Sequence, residues 1–143
     1  MATVWVLNGP NLNRLGSRQP EIYGTASLDD IAQAMQGRFP NLDMSWRQTN
    51  DEAELIGWLH DAIDQSVSVV LNAGAFTHYS YALADAAKMV TDAGRTLVEV
   101  HLSNPAARES FRQHSVLSPV VSGVIQGFGA ESYALALNYI SNQ

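Results

Sequence analysis

Thr3-Val-Trp-Val-Leu7, continuing as Asn8-Gly-Pro-Asn-Leu-Asn-Arg-Leu-Gly-Ser-Arg-Gln-Pro-Glu-Ile-Tyr-Gly24, is the stretch on which the reading of the fold turns. Its first five residues are apolar and rich in β-branches, the pattern of a strand buried on both faces of a parallel sheet. The loop after it is too long for a simple connection, and such loops in compact domains are usually functional. It carries Asn11, Arg14, Arg18 and Tyr23 among the stiffening Pro10 and Pro20, which predicts a lid over residues 9–24.

Working outward, Ser27 and Asp30 have capping-box spacing ahead of Ile31, Met35 and Phe39, one face of a helix that Pro40 stops. Leu42 to Gln48 alternates apolar and polar, as a strand near a sheet edge does. Thr49 and Glu52 repeat the capping-box spacing before a helix striped by Leu55, Trp58, Leu59, Ala62 and Ile63 and ending near Gln65. Val67–Asn72 reads as a third strand, Tyr79–Ala93 as a helix closed by Gly94, Arg95–Leu102 as a fourth strand and Val120–Gln126 as a fifth. A last helix runs to Tyr139.

This alternation over 143 residues predicts one domain, 1–143, of class α/β: a doubly wound, five-stranded parallel sheet in flavodoxin-like order. Ligands of such sheets bind outside the carboxyl ends of the strands. Those ends hold Asn8–Asn11, Gln48–Asn50, Asn72–His78, His101–Asn104 and Gln126–Gly129, so the polar residues suited to chemistry share one rim.

Composition narrows what the rim does. Eight Lys plus Arg against fourteen Asp plus Glu give a net charge of −6 with no basic run, which argues against a nucleic-acid partner. The chain has no cysteine, hence no disulfide, thiolate nucleophile or Cys-based metal site, and fits a reducing, cytoplasmic compartment. Neither a signal-peptide pattern nor an apolar run of spanning length is present, so no membrane association is expected. The segment after the first strand lacks both the dinucleotide and the P-loop glycine patterns. The only lysine, Lys88, falls inside an Ala-rich helix, which disfavours imine chemistry, and the four histidines show no metal-ligand spacing. Tyr, His, Asn, Arg and backbone amides remain, a set suited to proton transfer and oxyanion stabilisation.

Leu7 through Gly24, Asn72-Ala-Gly-Ala-Phe-Thr-His-Tyr-Ser80, Glu99-Val-His-Leu-Ser-Asn104 and the segment from Phe111 through Arg112 to Ser115 resemble type II 3-dehydroquinate dehydratase, from Thr3 to about Tyr139. The resemblance implies a flavodoxin-like subunit assembled as a homododecamer of four trimers. It also implies loss of water from 3-dehydroquinate to give 3-dehydroshikimate, with neither metal nor cofactor. Residue by residue, it implies that Tyr23 as tyrosinate takes the C2 proton, Asn11 with a bound water stabilises the enolate, and His101, oriented by Glu99, protonates the departing C1 hydroxyl. Arg18 lowers the Tyr23 pKa and closes the lid. Asn72, His78, Arg112 and Leu102-Ser103 match positions that hold substrate hydroxyls and carboxylate, and Asp85 matches an aspartate reaching a trimer neighbour's site. Gln19 stands where the family commonly has Glu, and Pro105-Ala106 where it has a bulky residue and His. The alternative reading is a non-catalytic flavodoxin-like or receiver-like binding module.

Overall fold

The computed structural model describes residues 2–17 and 19–143, with only the backbone of Tyr23. Strands β1 (Ala2–Asn8), β2 (Leu42–Gln48), β3 (Ser68–Asn72), β4 (Leu97–His101) and β5 (Gly123–Gln126) pair in the order β2-β1-β3-β4-β5, every pair parallel. This is the expected flavodoxin-like order. β1, β3 and β4 are buried through most or all of their length, whereas the edge strands β2 and β5 are partly exposed, as the alternation in Leu42–Gln48 required.

Among the described residues, α1 (Pro20–Tyr23) and α2 (Leu28–Arg38) lie between β1 and β2, α3 (Glu52–Gln65) between β2 and β3 and α4 (Tyr81–Asp92) between β3 and β4; 3₁₀ turns lead from β4 to β5, and α5 (Glu131–Ser141) follows β5. The two-residue period of the strands divides the core into two layers. Val4, Val6, Val70, Val98 and Val100 pack against Ile31 and Met35 of α2 and Tyr133 and Leu137 of α5. Trp5, Leu7, Val69, Leu71 and Leu97 pack against Leu55 and Leu59 of α3 and Leu83 and Val90 of α4.

Ser27 and Asp30 form the predicted capping box. Thr49 does not cap α3. Asp51 does, accepting from Ala53 N and Glu54 N, while Thr49 Oγ1 accepts from Asp51 N. A carboxylate at the positive end of the helix dipole is the better cap, so the helix starts two residues later than the Thr49 spacing implies. Likewise Ser80, whose hydroxyl accepts from Leu83 N and donates to Glu52, starts α4 at Tyr81 rather than Tyr79. Strands four and five are shorter than expected because pairing starts where Ser122 N donates to Leu97 O; Val120 and Val121 instead pack against the core beside α4.

The long loop is partly pinned. Leu12 and Leu15 are buried in the α2–α5 layer and a 3₁₀ turn spans Leu12–Arg14, whereas Pro20, Glu21 and residues 24–26 are exposed. At its root, Gly9 N donates to Asn72 O, and a Cβ on Gly9 would lie 2.5 Å from Ala73 O and 2.8 Å from Ala73 C. Backbone cannot yield there as a side chain can. Gly9→Ala is expected to destabilise by about 2 kcal/mol or more, lowering the thermal midpoint by several degrees in calorimetry.

Candidate active site

The strands deliver their polar ends to one place because the sheet is parallel. A cavity of about 120 Å³ at those ends is lined by Pro10, Asn11 and Leu12 after β1, Asn72, Gly74, Ala75 and His78 after β3, and His101, Leu102 and Ser103 at the end of β4. Pro105, Arg108 and Arg112 close it. A second cavity of about 310 Å³ shares His78, His101, Pro105 and Arg112 and reaches Glu99, Ser115 and Ser118.

Glu99 and His101 are two residues apart on β4, so they face the same side of the sheet. Both are buried, and His101 Nε2 lies 2.6 Å from Glu99 Oε2. Burial pushes the Glu99 carboxyl up, but the His101 hydrogen bond and charge, with hydrogen bonds from Ser118 and Ser115, more than offset it and hold the group below the usual range. An ionised Glu99 accepts a hydrogen bond from Nε2–H and leaves Nδ1 as the ring nitrogen free to exchange a proton with a ligand.

Asn11 adopts a left-handed conformation, φ 70°, which asparagine tolerates. Its N–H donates to Asn50 Oδ1 at 2.9 Å, and Gln48 Nε2 donates to Gly9 O at 3.1 Å, so the end of β2 braces this turn. His78 Nδ1 donates to the His114 carbonyl at 2.8 Å. Burial, the first cause, lowers the His78 pKa; the His114 bond opposes this and the nearby His101 and Arg112 add to it, favouring a neutral ring. Arg112 Nε reaches Glu109 Oε2 at 3.1 Å, and its guanidinium lies over Phe111 at 4.6 Å.

Asn72 is held from below. Its Nδ2 donates to Tyr133 Oη at 3.0 Å, and Tyr133 Oη donates to Asn8 Oδ1 at 2.6 Å. Tyr133 is fully buried, which pushes its phenol well above the usual range and outweighs the Asn72 hydrogen bond. It is therefore a fixed neutral strut. Tyr133→Phe leaves two buried amides short of a partner and is expected to cost about 2–4 kcal/mol in urea unfolding.

The structure thus gathers Asn11, Asn72, His78, His101, Leu102, Ser103 and Arg112 around one cavity, with Glu99 behind His101. Asp85 is exposed on α4 and lines neither cavity. Arg18 lies outside the described residues; Tyr23 ends α1, and its side chain is likewise outside them. Lys88 pairs with Asp92 at 3.1 Å on the exposed side of α4, away from the cavity. Sequence reasoning missed Arg108, which donates from Nη1 to Ser103 Oγ at 3.2 Å, and also Ser118 and Tyr133. A signal for Arg108 existed: it is a second cation four residues before Arg112.

Fold and site together define a flavodoxin-order α/β domain with a buried carboxylate–imidazole pair at its strand ends, an arrangement suited to proton transfer. The chain belongs to the class II dehydroquinase family, whose model matches residues 2–141. It is 52% identical over 140 residues to the 3-dehydroquinate dehydratase of Salinispora tropica, covering 96% of each chain. It is 47% identical over 144 residues to that of Bacillus licheniformis, covering 99% of this chain and 97% of the other. The crystal structure of type II dehydroquinase from Propionibacterium acnes superposes with a TM-score of 0.94 at 46% identity, covering 100% of this chain and 98% of that one.

Proposed function

We propose that the chain dehydrates 3-dehydroquinate to 3-dehydroshikimate by an anti elimination through an enolate, as a step of the shikimate pathway. The observation that carries this is the buried Glu99–His101 pair opening onto a cavity that also presents Asn11, Asn72, Ser103 and Arg112.

Tyr23 as phenolate removes the C2 proton, and the C–H electron pair moves into an enolate whose oxygen Asn11 stabilises through a bound water. The enolate then re-forms the ketone while the C1–oxygen bond breaks, and His101 gives the leaving hydroxyl a proton so that it departs as water. Arg18 stabilises the Tyr23 phenolate and belongs to the lid over residues 9–24 of a single catalytic domain. Arg112 and Ser103 hold the substrate carboxylate, and Asn72 and His78 its hydroxyls. The chemistry asks for no imine, and the only lysine is engaged elsewhere.

The assembly is a cytoplasmic homododecamer of four trimers in which Asp85 approaches a neighbour's site. The exposed apolar residues Tyr81, Val124, Leu135 and Tyr139 support buried contacts between copies. Among the described residues, no helix is long and apolar enough to cross a membrane. Ultraviolet absorbance of the enone product tests the reaction directly: binding of 3-dehydroquinate without product growth would instead favour the non-catalytic module. Light scattering that returns a monomer overturns the assembly.

A further inference from the structure

Behind the His101–Glu99 pair lies a turn whose polar atoms all converge on one carboxylate. Leu117 is fully buried in the α3–α4 layer and fixes residues 115–118 against the face of β4 that carries Glu99. Ser115 Oγ accepts from Leu117 N at 3.1 Å and from Ser118 N at 3.0 Å. A hydroxyl has two lone pairs and one proton. Both lone pairs are occupied by backbone donors, so the proton is directed outward, and it meets Glu99 Oε2 at 3.1 Å and Oε1 at 3.3 Å. Ser118 Oγ donates to Oε1 at 2.8 Å, while Oε2 also takes His101 Nε2. No orientation of the Ser115 hydroxyl lets it accept from a protonated Glu99.

We infer that Ser115 and Ser118 are positioning residues for the reaction: their hydroxyls hold Glu99 as an oriented acceptor, so that His101 keeps its Nε2 proton on Glu99 and presents Nδ1 to the leaving group. This rests on His101 being the general acid. The charged and titratable groups around the pair are His78 from the 3₁₀ turn Gly74–His78 and Arg112 from the 3₁₀ turn Ser110–Gln113; β3 and β5 place only Leu71 and Val124 opposite Glu99. Among the described residues, Ser115 and Ser118 are the hydroxyls hydrogen-bonded to Glu99.

Ser118→Ala and Ser118→Thr in the full chain test this. Ser118 is half-buried beside the second cavity, so an added methyl can be accommodated. Loss of one hydrogen bond to a charged acceptor is expected to lower kcat about tenfold in the alanine variant, with KM within about twofold. The acid limb of the kcat profile moves to higher pH, and the Glu99 carboxyl, followed by ¹³C NMR and assigned against Glu99→Gln, titrates at higher pH. Ser118→Thr keeps the hydroxyl and restores all three readouts. An alanine variant with unchanged kcat and an unmoved carboxyl titration overturns the inference, as does an equal loss in the threonine variant. If the parent protein itself fails to turn over 3-dehydroquinate, the proposed reaction falls, while the carboxyl titration still decides what Ser118 does to Glu99.

Discussion

Glu99→Gln is expected to lower kcat by about 10³-fold while KM changes little, because the charge acts on the proton carried by His101 rather than on substrate binding. Every orientation of the amide fails. With its NH₂ toward the serines it confronts Ser115 Oγ, whose lone pairs already hold two backbone N–H groups. With its NH₂ toward His101 it forces Nε2 to accept, moves the ring proton to Nδ1, and leaves no counter-charge for an imidazolium. Steady-state kinetics by enone absorbance checks the kcat effect, and a kcat within a few fold of the parent would remove Glu99 from the mechanism.

The same substitution has a consequence for stability with a definite sign. The folded-state Glu99 pKa lies below its ordinary value of 4.5. Such a group binds fewer protons folded than unfolded, so its contribution is fully present above the unfolded value and is lost as pH falls through the folded one. Thermal melting followed downward from above pH 4.5 through the folded-state value should therefore fall less steeply in Glu99→Gln than in the parent.

Net charge is a poor guide to this site. The chain is acidic overall, yet Arg108 and Arg112 line one cavity, and Glu109, exposed beside Arg112, is held below the usual carboxylate range by the hydrogen bond it accepts from Arg112. A small anion responds to the local arrangement rather than to the sum, because exposed charges farther off than a Debye length of about 8 Å are screened.

What was legible in the sequence was local or periodic. The Ser27–Asp30 capping box and the alternation of Leu42–Gln48 each follow from geometry within a few residues, whereas the Glu99–His101 pairing was implied only by the family resemblance. The strand ends follow in turn, since a parallel sheet puts every carboxyl end on one rim. The supporting contacts were not legible. Ser118 meets Glu99 across 19 positions, and Tyr133 meets Asn72 across 61 and Asn8 across 125. Nothing in the periodicity of α5 distinguishes Tyr133 from a packing aromatic until the fold brings Asn8 and Asn72 side by side in the β1–β3 register. Thr49 was misread for a related reason: two candidate caps stood two residues apart, and the carboxylate of Asp51 prevailed.

Tyr23→Phe is expected to reduce kcat by at least about 10³-fold while leaving the substrate dissociation constant within a few fold, since it removes the proposed base and little volume. The other tyrosines are poor candidates. Tyr79, Tyr81 and Tyr139 are exposed and line neither active-site cavity, and Tyr133 is committed to Asn8 and Asn72 with a phenol that burial keeps neutral. Tyr23 closes α1, a four-residue helix bounded by left-handed Gln19 at φ 42° and by Gly24 at φ 84°. A non-glycine residue in that region costs about 1 kcal/mol or more, which a segment built only to connect has no reason to retain. An ordinary phenol, with a pKa of about 10, is ionised roughly once in a thousand at neutral pH, and lowering it by two units requires about 2.7 kcal/mol of preferential stabilisation of the anion. Arg18, five residues earlier, is the proposed source, so Arg18→Ala should move the rise of rate with pH, which follows Tyr23 deprotonation, to higher pH in a protein that keeps Tyr23. Calorimetric titration with 3-dehydroquinate alongside the kinetics separates base loss from binding loss, and a Tyr23→Phe protein with near-parental kcat would place the proton acceptor elsewhere on the rim.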